Sequence, residues 1–290
     1  MISSRSPFIV RLNVFVFLLS LVFCISSMDA QNSNRRNAAG GQQAQAPNTR
    51  LPGGAPDFFQ NKSYQGSNGE TIRYSLLEPL EVKAGEKFPL VLCLHGSQGA
   101  TKAPDYLSTP EMRKKHPAFI MAPAAPRNKF WSTGGVPDNV NPEELRKRGM
   151  DKLESVEVEL MEALEDVVAN YPVDPDRIYI TGQSKGGHGT WGTILKNPHR
   201  FAAAAPICGP VGTVDMKPLA HLPIWIFHGN ADARVDVEVS RRVFKDLLEA
   251  GGQPGYTEFP GVGHSSWIPA YETPYLWDWM FEQSRTKQDK

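Results

Sequence analysis

Runs of consecutive apolar residues recur along the chain and alternate with segments of helical spacing. Such runs are typical of strands that are buried on both faces, as in the centre of a parallel sheet. They occupy Phe88–Leu94, Phe119–Ala124, 178–181, 201–207 and 224–227, with a weaker candidate at 256–259. Strands that alternate with helices predict an α/β fold with a mostly parallel, doubly wound sheet and helices on both faces.

The segments between these runs carry apolar residues three and four positions apart, which is the spacing of one helix face. One such segment follows Ser184 and ends at Asn197-Pro198, and another ends at Gly251-Gly252, a common C-terminal signal. Residues 67–69 predict the turn of a β-hairpin whose second strand covers 71–77. The first predicted helix carries the apolar set Leu153, Val156, Leu160, Leu164 and Val167.

The first 56 residues differ in composition from the rest of the chain. Arg5 and Arg11 precede a short apolar run, and small residues follow it, which is the pattern of a secretory signal peptide at 1–30. An uncleaved N-terminal membrane anchor is the alternative. Residues 31–56 are rich in Gln, Asn, Ala, Gly and Pro and predict a disordered spacer. We therefore expect one folded domain at 57–290, in a secreted or periplasmic protein with no stable membrane insertion after cleavage.

The charge balance gives no sign of a polyanionic partner. The 290 residues contain 31 basic and 31 acidic side chains, so neither nucleic acid nor an anionic membrane surface is expected as a partner. Beyond residue 30 only Cys93 and Cys208 remain, which is too few for a disulfide framework. Both lie in or beside apolar runs and are expected to be small buried side chains.

The sequence Gly182-Gln183-Ser184-Lys185-Gly186 follows one of the apolar runs and precedes a helical segment. In that setting Gly-x-Ser-x-Gly predicts a nucleophile elbow, a sharp strand-to-helix turn that lifts the serine hydroxyl out of the sheet. The alternative is an ordinary serine in a glycine-rich turn. Catalysis therefore also requires a histidine, an acid and an oxyanion hole elsewhere in the chain.

An acid and a histidine follow Ser184 in the order that nucleophile elbows on such sheets use. Asp232 lies in the loop after the 224–227 run, and His264 is the only histidine beyond it. A serine becomes a nucleophile when a neutral imidazole removes its proton, and a carboxylate orients that imidazole. We therefore predict a triad of Ser184, Asp232 and His264. The weaker alternatives for the acid are Asp215, Asp236 and Asp246.

The oxyanion of a tetrahedral intermediate needs preorganised hydrogen-bond donors. One is expected from the N–H of Lys185, the residue after the nucleophile, and the other from the loop that follows the first apolar run. We assign the second donor to Ser97, with Gly96 as the alternative. His95 precedes these residues, and we expect its ring to be structural and to hold the loop. The same interpretation applies to His228 in the second His-Gly pair.

Residues 126–150 interrupt the alternation of strands and helices with a long segment rich in glycine, proline and charge. Long loops in compact domains are often functional, so Trp131 is a candidate aromatic platform for substrate. The alternative is a tryptophan that fills the edge of the core. Trp267 is a candidate for the leaving-group side of the site, with core packing again as the alternative. No pair of histidines has metal-ligand spacing on one helix, so we expect neither a metal nor another cofactor.

Five short segments together resemble one protein family. They are similar to the secreted α/β-hydrolase esterases of the dienelactone-hydrolase-like and polyhydroxybutyrate-depolymerase-like group, which includes feruloyl and acetylxylan esterases and some members labelled predicted peptidases. The resemblance covers about residues 70–282 and implies an α/β-hydrolase fold, the triad named above and ester hydrolysis without a cofactor. Lys185 departs from it, because many relatives have Met there; its charge favours an anionic acyl group, or its stem packs and its head reaches solvent. The segments are Leu94-His95-Gly96, 182–187, 206–209, 225–229 and 263–267.

Three functional hypotheses follow from these residues. The leading one is a secreted serine esterase that acts through an acyl-enzyme on a small-molecule or polysaccharide-linked ester; Trp131 and Trp267 motivate the carbohydrate, because aromatic faces suit sugars and phenolic acids. The same triad can cleave amides, so a serine peptidase is the alternative. A non-catalytic binding protein on a hydrolase fold is disfavoured, because all three triad residues are present.

Overall fold

The computed structural model describes residues 58–288 apart from 98, 100, 127, 136–142 and 144–153. The predicted signal peptide, the predicted spacer and the start of the first predicted helix lie outside these residues. Among the helices that are described, none is long and apolar enough to cross a membrane.

Eight strands form one mixed sheet in the order β1-β2-β4-β3-β5-β6-β7-β8. The first two form the predicted hairpin, and β2 pairs antiparallel with β4. The neighbours from β4 through β3 to β8 are all parallel. The strands are β1 Gln60–Gln65, β2 Thr71–Leu77, β3 Phe88–Leu94, β4 Phe119–Ala124, β5 Val173–Gln183, β6 Ala203–Ile207, β7 Trp225–Gly229 and β8 Gly255–Phe259.

The described helices connect these strands on both faces of the sheet. They are α1 Ala103–Leu107, α2 Pro110–Lys115, α3 Glu157–Asn170, α4 Lys185–Lys196, α5 Val237–Glu249, α6 Trp267–Tyr271, α7 Pro274–Phe281 and α8 Arg285–Gln288, with a 3-10 turn at Lys217–Leu219.

Two hydrophobic layers sandwich the sheet. Helices α3, α4 and α5 contribute to one layer, and α1, α2, α6 and α7 contribute to the other. The apolar run of strand β3 is continuous because both of its faces are covered. Leu90 and Leu92 face the first layer, while Val91 and Cys93 face the second. Because every residue of β3 is buried, the prediction of a strand covered on both faces is confirmed. The predicted doubly wound α/β-hydrolase fold is thereby confirmed.

Strand β5 is longer than its apolar run predicts. It begins at Val173, which pairs with Phe88 ahead of a register irregularity, whereas the apolar run marks only its inner half from Ile178 onward. The carboxyl end of β5 lies between those of β3 and β6, and loops from β3, β5, β7 and β8 leave the sheet at the same edge. In open α/β sheets this is the edge that carries ligand and catalytic groups.

Candidate active site

Ser184 occupies the sharp turn between β5 and α4. Its φ of 54° and ψ of −116° lie in a region that non-glycine residues seldom adopt. The turn is held because the Ser184 N–H donates to the Ile207 carbonyl at 2.9 Å. A side chain at Gly186 would overlap the Leu94 carbonyl oxygen, so the turn requires glycine there. The strained backbone and the close packing are those of a nucleophile elbow.

Asp232 lies in the loop that leaves β7, and its carboxylate has no solvent exposure. Its Oδ1 accepts hydrogen bonds from the main-chain N–H groups of Arg234 at 2.8 Å and Val235 at 3.0 Å. Its Oδ2 lies 2.7 Å from His264 Nδ1. Burial opposes ionisation of this carboxyl, but the hydrogen bonds from His264, Val235 and Arg234 outweigh it and lower the pKa of Asp232. Asp232 is therefore a buried anion at neutral pH.

His264 bridges the acid and the serine. Its Nδ1 faces the Asp232 carboxylate, and its Nε2 lies 2.9 Å from Ser184 Oγ. Because a carboxylate can only accept, the proton of the neutral ring belongs on Nδ1, and Nε2 is left free to accept from the serine hydroxyl. The ring is 13% exposed, so substrate can approach it. The structure thus brings the three predicted residues together in a geometry suited to nucleophilic catalysis.

The alternative acids have other partners in the fold. Asp236 caps α5 by accepting from the Glu238 N–H, and Asp246 pairs with Arg242 at 3.6 Å on the same helix. Asp215 accepts from the Lys217 N–H in a local turn. These contacts place the three carboxylates in structural roles, and Asp232 is the acid that meets His264.

The loop after β3 passes directly beside the nucleophile. Gly96 is buried, and a Cβ built on it would lie 3.7 Å from Ser184 Cβ and 3.4 Å from the Gln183 carbonyl oxygen. Ser97 follows and is exposed, and Lys185 begins α4 on the other side of Ser184. Backbone groups from both elements therefore flank the serine, and the contacts of Gly96 with Gln183 and Ser184 keep it as the alternative to Ser97.

His95 holds this loop through main-chain contacts, as expected. The Ala125 N–H donates to its Nε2 at 3.0 Å, so the ring proton lies on Nδ1 and is donated to the Gly96 carbonyl at 2.6 Å. Burial lowers the pKa of His95 to about 4, and the nearby charge of Lys185 acts in the same direction. A neutral imidazole thus ties the candidate oxyanion loop to the end of β4.

Trp131 is part of the core, and its assignment as a substrate platform is wrong. The side chain has no solvent exposure. Its Nε1 donates to the His95 carbonyl at 3.0 Å, and its ring packs edge-on against the His95 ring at a centroid distance of 4.8 Å. The alternative interpretation, in which tryptophan fills the edge of the core, describes its position. Sequence alone cannot separate these two roles, because an aromatic residue in a long loop suits both.

Trp267 lies beside His264. Its ring is perpendicular to that of His264 at a centroid distance of 5.5 Å, and it is half-buried. Part of the ring packs on the layer formed with α6 and α7. Its role in binding the leaving group stays a prediction that this position supports.

Lys185 spans from the elbow to the start of the long loop. Its Nζ donates to the Pro126 carbonyl at 2.9 Å, and the side chain is partly exposed. The ammonium group therefore has a main-chain partner, which the sequence does not indicate.

Cys208 lies next to His264. It is fully buried, as is Cys93, which confirms the expectation for both cysteines. Its thiol contacts the His264 carbonyl oxygen at 3.5 Å. In the described part of the chain, ligand atoms of Cys208, Asp232 and His264 lie within 4.8 Å of one another and form the group that could hold a metal. Burial raises the pKa of Cys208 to about 12, so this thiol is protonated at neutral pH and is a poor ligand.

Comparison with known proteins places the chain in a family. Residues 66–283 match the family described as "Putative esterase". The chain belongs to this family.

Individual relatives are named as ester hydrolases. A rice (Oryza sativa subsp. japonica) protein named probable carboxylesterase Os04g0669500 is 30% identical over 227 residues, which cover 73% of this chain and 84% of the rice protein. A rat (Rattus norvegicus) S-formylglutathione hydrolase is 56% identical over 46 residues, 15% of this chain and 16% of the rat protein. The chain is also similar to a crystal structure of a thermostable esterase, with a TM-score of 0.67 and 35% identity. The match covers 79% of this chain and 64% of the esterase chain. The chain thus spans less than two thirds of the rat enzyme and of the thermostable esterase, and the similarities support a carboxylic-ester hydrolase of this family.

Proposed function

We propose that the protein is a serine carboxylic-ester hydrolase in which Ser184 is the nucleophile, His264 the general base and acid, and Asp232 the orienting carboxylate. The observation that carries this proposal is the hydrogen-bonded series from Asp232 Oδ2 through His264 to Ser184 Oγ, with distances of 2.7 and 2.9 Å. Membership in the esterase family supports the choice of an ester as substrate.

The reaction follows from the direction of these hydrogen bonds. As Ser184 Oγ attacks the ester carbonyl carbon, its proton moves to His264 Nε2, and Asp232 stabilises the resulting imidazolium. The carbonyl oxygen becomes an anion, for which we assign the N–H groups of Lys185 and Ser97, with Gly96 as the alternative to Ser97. The imidazolium then protonates the leaving alcohol, and an acyl-enzyme remains. Water attacks the acyl carbon with the same histidine as base, which releases the acid and restores Ser184.

The half-buried ring of Trp267 lies next to the histidine that protonates the leaving group. We assign it to the alcohol portion of the substrate, for which a sugar or another small-molecule alcohol would suit an aromatic face. No step requires a cofactor. The basic flank and short apolar run within residues 1–30 support export, which N-terminal sequencing of protein recovered from the medium or periplasm tests.

A substrate panel tests the proposed reaction. We expect wild type to hydrolyse p-nitrophenyl acetate or methyl ferulate, and Ser184→Ala to lose the activity while keeping the same melting temperature. Chelator is expected to leave the rate unchanged. A preference for a peptide anilide over both esters would instead favour a peptidase, and full ester hydrolysis by Ser184→Ala would rule out the mechanism.

A further inference from the structure

His228 is a second histidine that contacts the acid of the proposed triad, at the same carboxylate oxygen as His264. It lies near the end of β7, and its ring has no solvent exposure. Three polar groups face it: Ser240 Oγ is 2.7 Å from Nδ1, the Val235 carbonyl oxygen is 3.0 Å from Nε2, and Asp232 Oδ2 is 3.3 Å from Nε2.

These partners fix the tautomer of the ring. The Val235 carbonyl and the Asp232 carboxylate cannot donate, so the proton between them belongs to His228 Nε2. Nδ1 is then an acceptor, and the Ser240 hydroxyl donates to it. Burial lowers the pKa of His228, although the Val235 carbonyl and Asp232 act in the opposite direction. The ring is therefore neutral at pH 7, with its single proton directed at the acid loop.

The same contacts connect both ends of the acid loop. The Val235 N–H donates to Asp232 Oδ1 at 3.0 Å, while the Val235 carbonyl accepts from His228. Asp232 thus accepts hydrogen bonds from Arg234 and Val235 at Oδ1 and from His264 at Oδ2. His228 Nε2, which donates to the Val235 carbonyl, lies 3.3 Å from the same Oδ2. Ser240 is on α5, so this arrangement joins β7, the loop and the next helix.

We propose that His228 is a positioning residue for ester hydrolysis: its Nε2–H, which donates to the Val235 carbonyl and lies beside Asp232 Oδ2, holds the acid loop so that Asp232 Oδ2 has the orientation that His264 Nδ1 requires. Ser240 fixes the tautomer that makes this possible. The inference rests on the proposed triad. Without this donor the carboxylate can rotate away from His264, and the ring of His264 loses both its orientation and the stabilisation of its charged form. The expected consequence is a lower kcat with little change in KM, because substrate does not contact His228.

Two amide substitutions test the roles of the two ring nitrogens of His228 separately. His228→Gln places an N–H where Nε2 is and keeps the donor to the acid loop. His228→Asn places its amide where Nδ1 is and loses that donor. We expect His228→Asn to lower kcat about 100-fold at similar KM, and His228→Gln to stay within about tenfold of wild type. The acidic limb of kcat/KM should move to lower pH in the Asn variant only, because the imidazolium of His264 has lost its oriented partner. The proposal would be overturned if the two variants had equal kcat values and equal acidic limbs. It would also be overturned if His228→Asn lowered the melting temperature but left kcat unchanged.

A double-mutant cycle gives a second test that does not need the Asn variant to fold. Ser240→Ala should lower kcat about fivefold in wild type, and should have no further effect in the His228→Gln background, where no ring nitrogen meets Ser240. Equal effects in both backgrounds would contradict the assigned tautomer. Ser184→Ala is measured in parallel: residual activity there refutes the proposed function itself, whereas an inactive Ser184→Ala with an unaltered His228→Asn refutes only this inference.

Discussion

The two His-Gly pairs of this chain occupy equivalent places after β3 and β7 but have different partners. His95 contacts the main chain, accepting from the Ala125 N–H and donating to the Gly96 carbonyl. His228 contacts the side chains of Asp232 and Ser240 as well as a carbonyl. Both rings are buried and neutral, and each fixes a loop at the catalytic edge of the sheet. The difference teaches that the same dipeptide can hold one loop through main-chain contacts alone and another through side chains; under the proposed function the first is the oxyanion loop and the second carries the acid.

Removal of the acid charge should produce the largest effect. Asp232→Asn is expected to lower kcat by about 10⁴-fold, because the amide no longer favours the His264 tautomer with its proton on Nδ1. Asp236→Asn is the matched control: it changes a nearby carboxylate that caps α5. Its kcat should stay close to that of wild type. If Asp236→Asn were the inactive variant, the acid would have been assigned to the wrong residue.

The pH dependence of stability should distinguish the two histidines. The folded pKa of His95 is about 4, below its ordinary value of 6.5, so the unfolded chain binds a proton in this range and the folded chain does not. Stability is therefore lost as pH falls from about 6.5 towards 4, by on the order of 3 kcal/mol for this group.

Urea unfolding at pH 7, 5.5 and 4.5 measures this loss. His95→Gln should unfold with a shallower pH dependence than wild type. His228→Gln should change it in the same direction and by less, since Asp232 favours the charged ring of His228 and no acidic side chain does so for His95. An identical pH dependence in wild type and His95→Gln would contradict the buried neutral assignment.

The indole that supports His95 should matter for activity as well as for stability. Trp131→Phe removes the donor to the His95 carbonyl and should lower the free energy of unfolding by about 1 kcal/mol, with a lower kcat from the loosened oxyanion loop. Trp277→Phe is the matched control, because its Nε1 donates to the Tyr271 carbonyl in the other layer. It should cost similar stability without a change in kcat. Equal kcat values for the two variants would show that the indole of Trp131 does not support catalysis through the loop of His95.

The smallest effect is expected at Lys185. Since Nζ donates to the Pro126 carbonyl, Lys185→Met should change kcat/KM by about threefold or less, and equally for a neutral and a carboxylate-bearing p-nitrophenyl ester. A selective loss with the anionic ester would show that the charge recognises the acyl group.

Much of the fold could be predicted from sequence because strands that are buried on both faces appear as continuous apolar runs. The apolar run of β3 depends on local pattern, and the order of Ser184, Asp232 and His264 after β5, β7 and β8 depends on topology. The role of Trp131 could not be predicted, because burial in a loop depends on distant partners such as Gly189, whose lack of a side chain admits the indole. Ser240 carries no signal either: it is one polar residue in an amphipathic helix until the fold brings it to His228.

The most direct test is the site of reaction with a fluorophosphonate. Wild type should gain the mass of one phosphonyl group, located by peptide mapping on Ser184, with parallel loss of ester hydrolysis. The Ser184→Ala variant should gain no mass and should show no hydrolysis. Labelling of another residue, or undiminished labelling of Ser184→Ala, would contradict the assignment of the nucleophile on which the whole account depends.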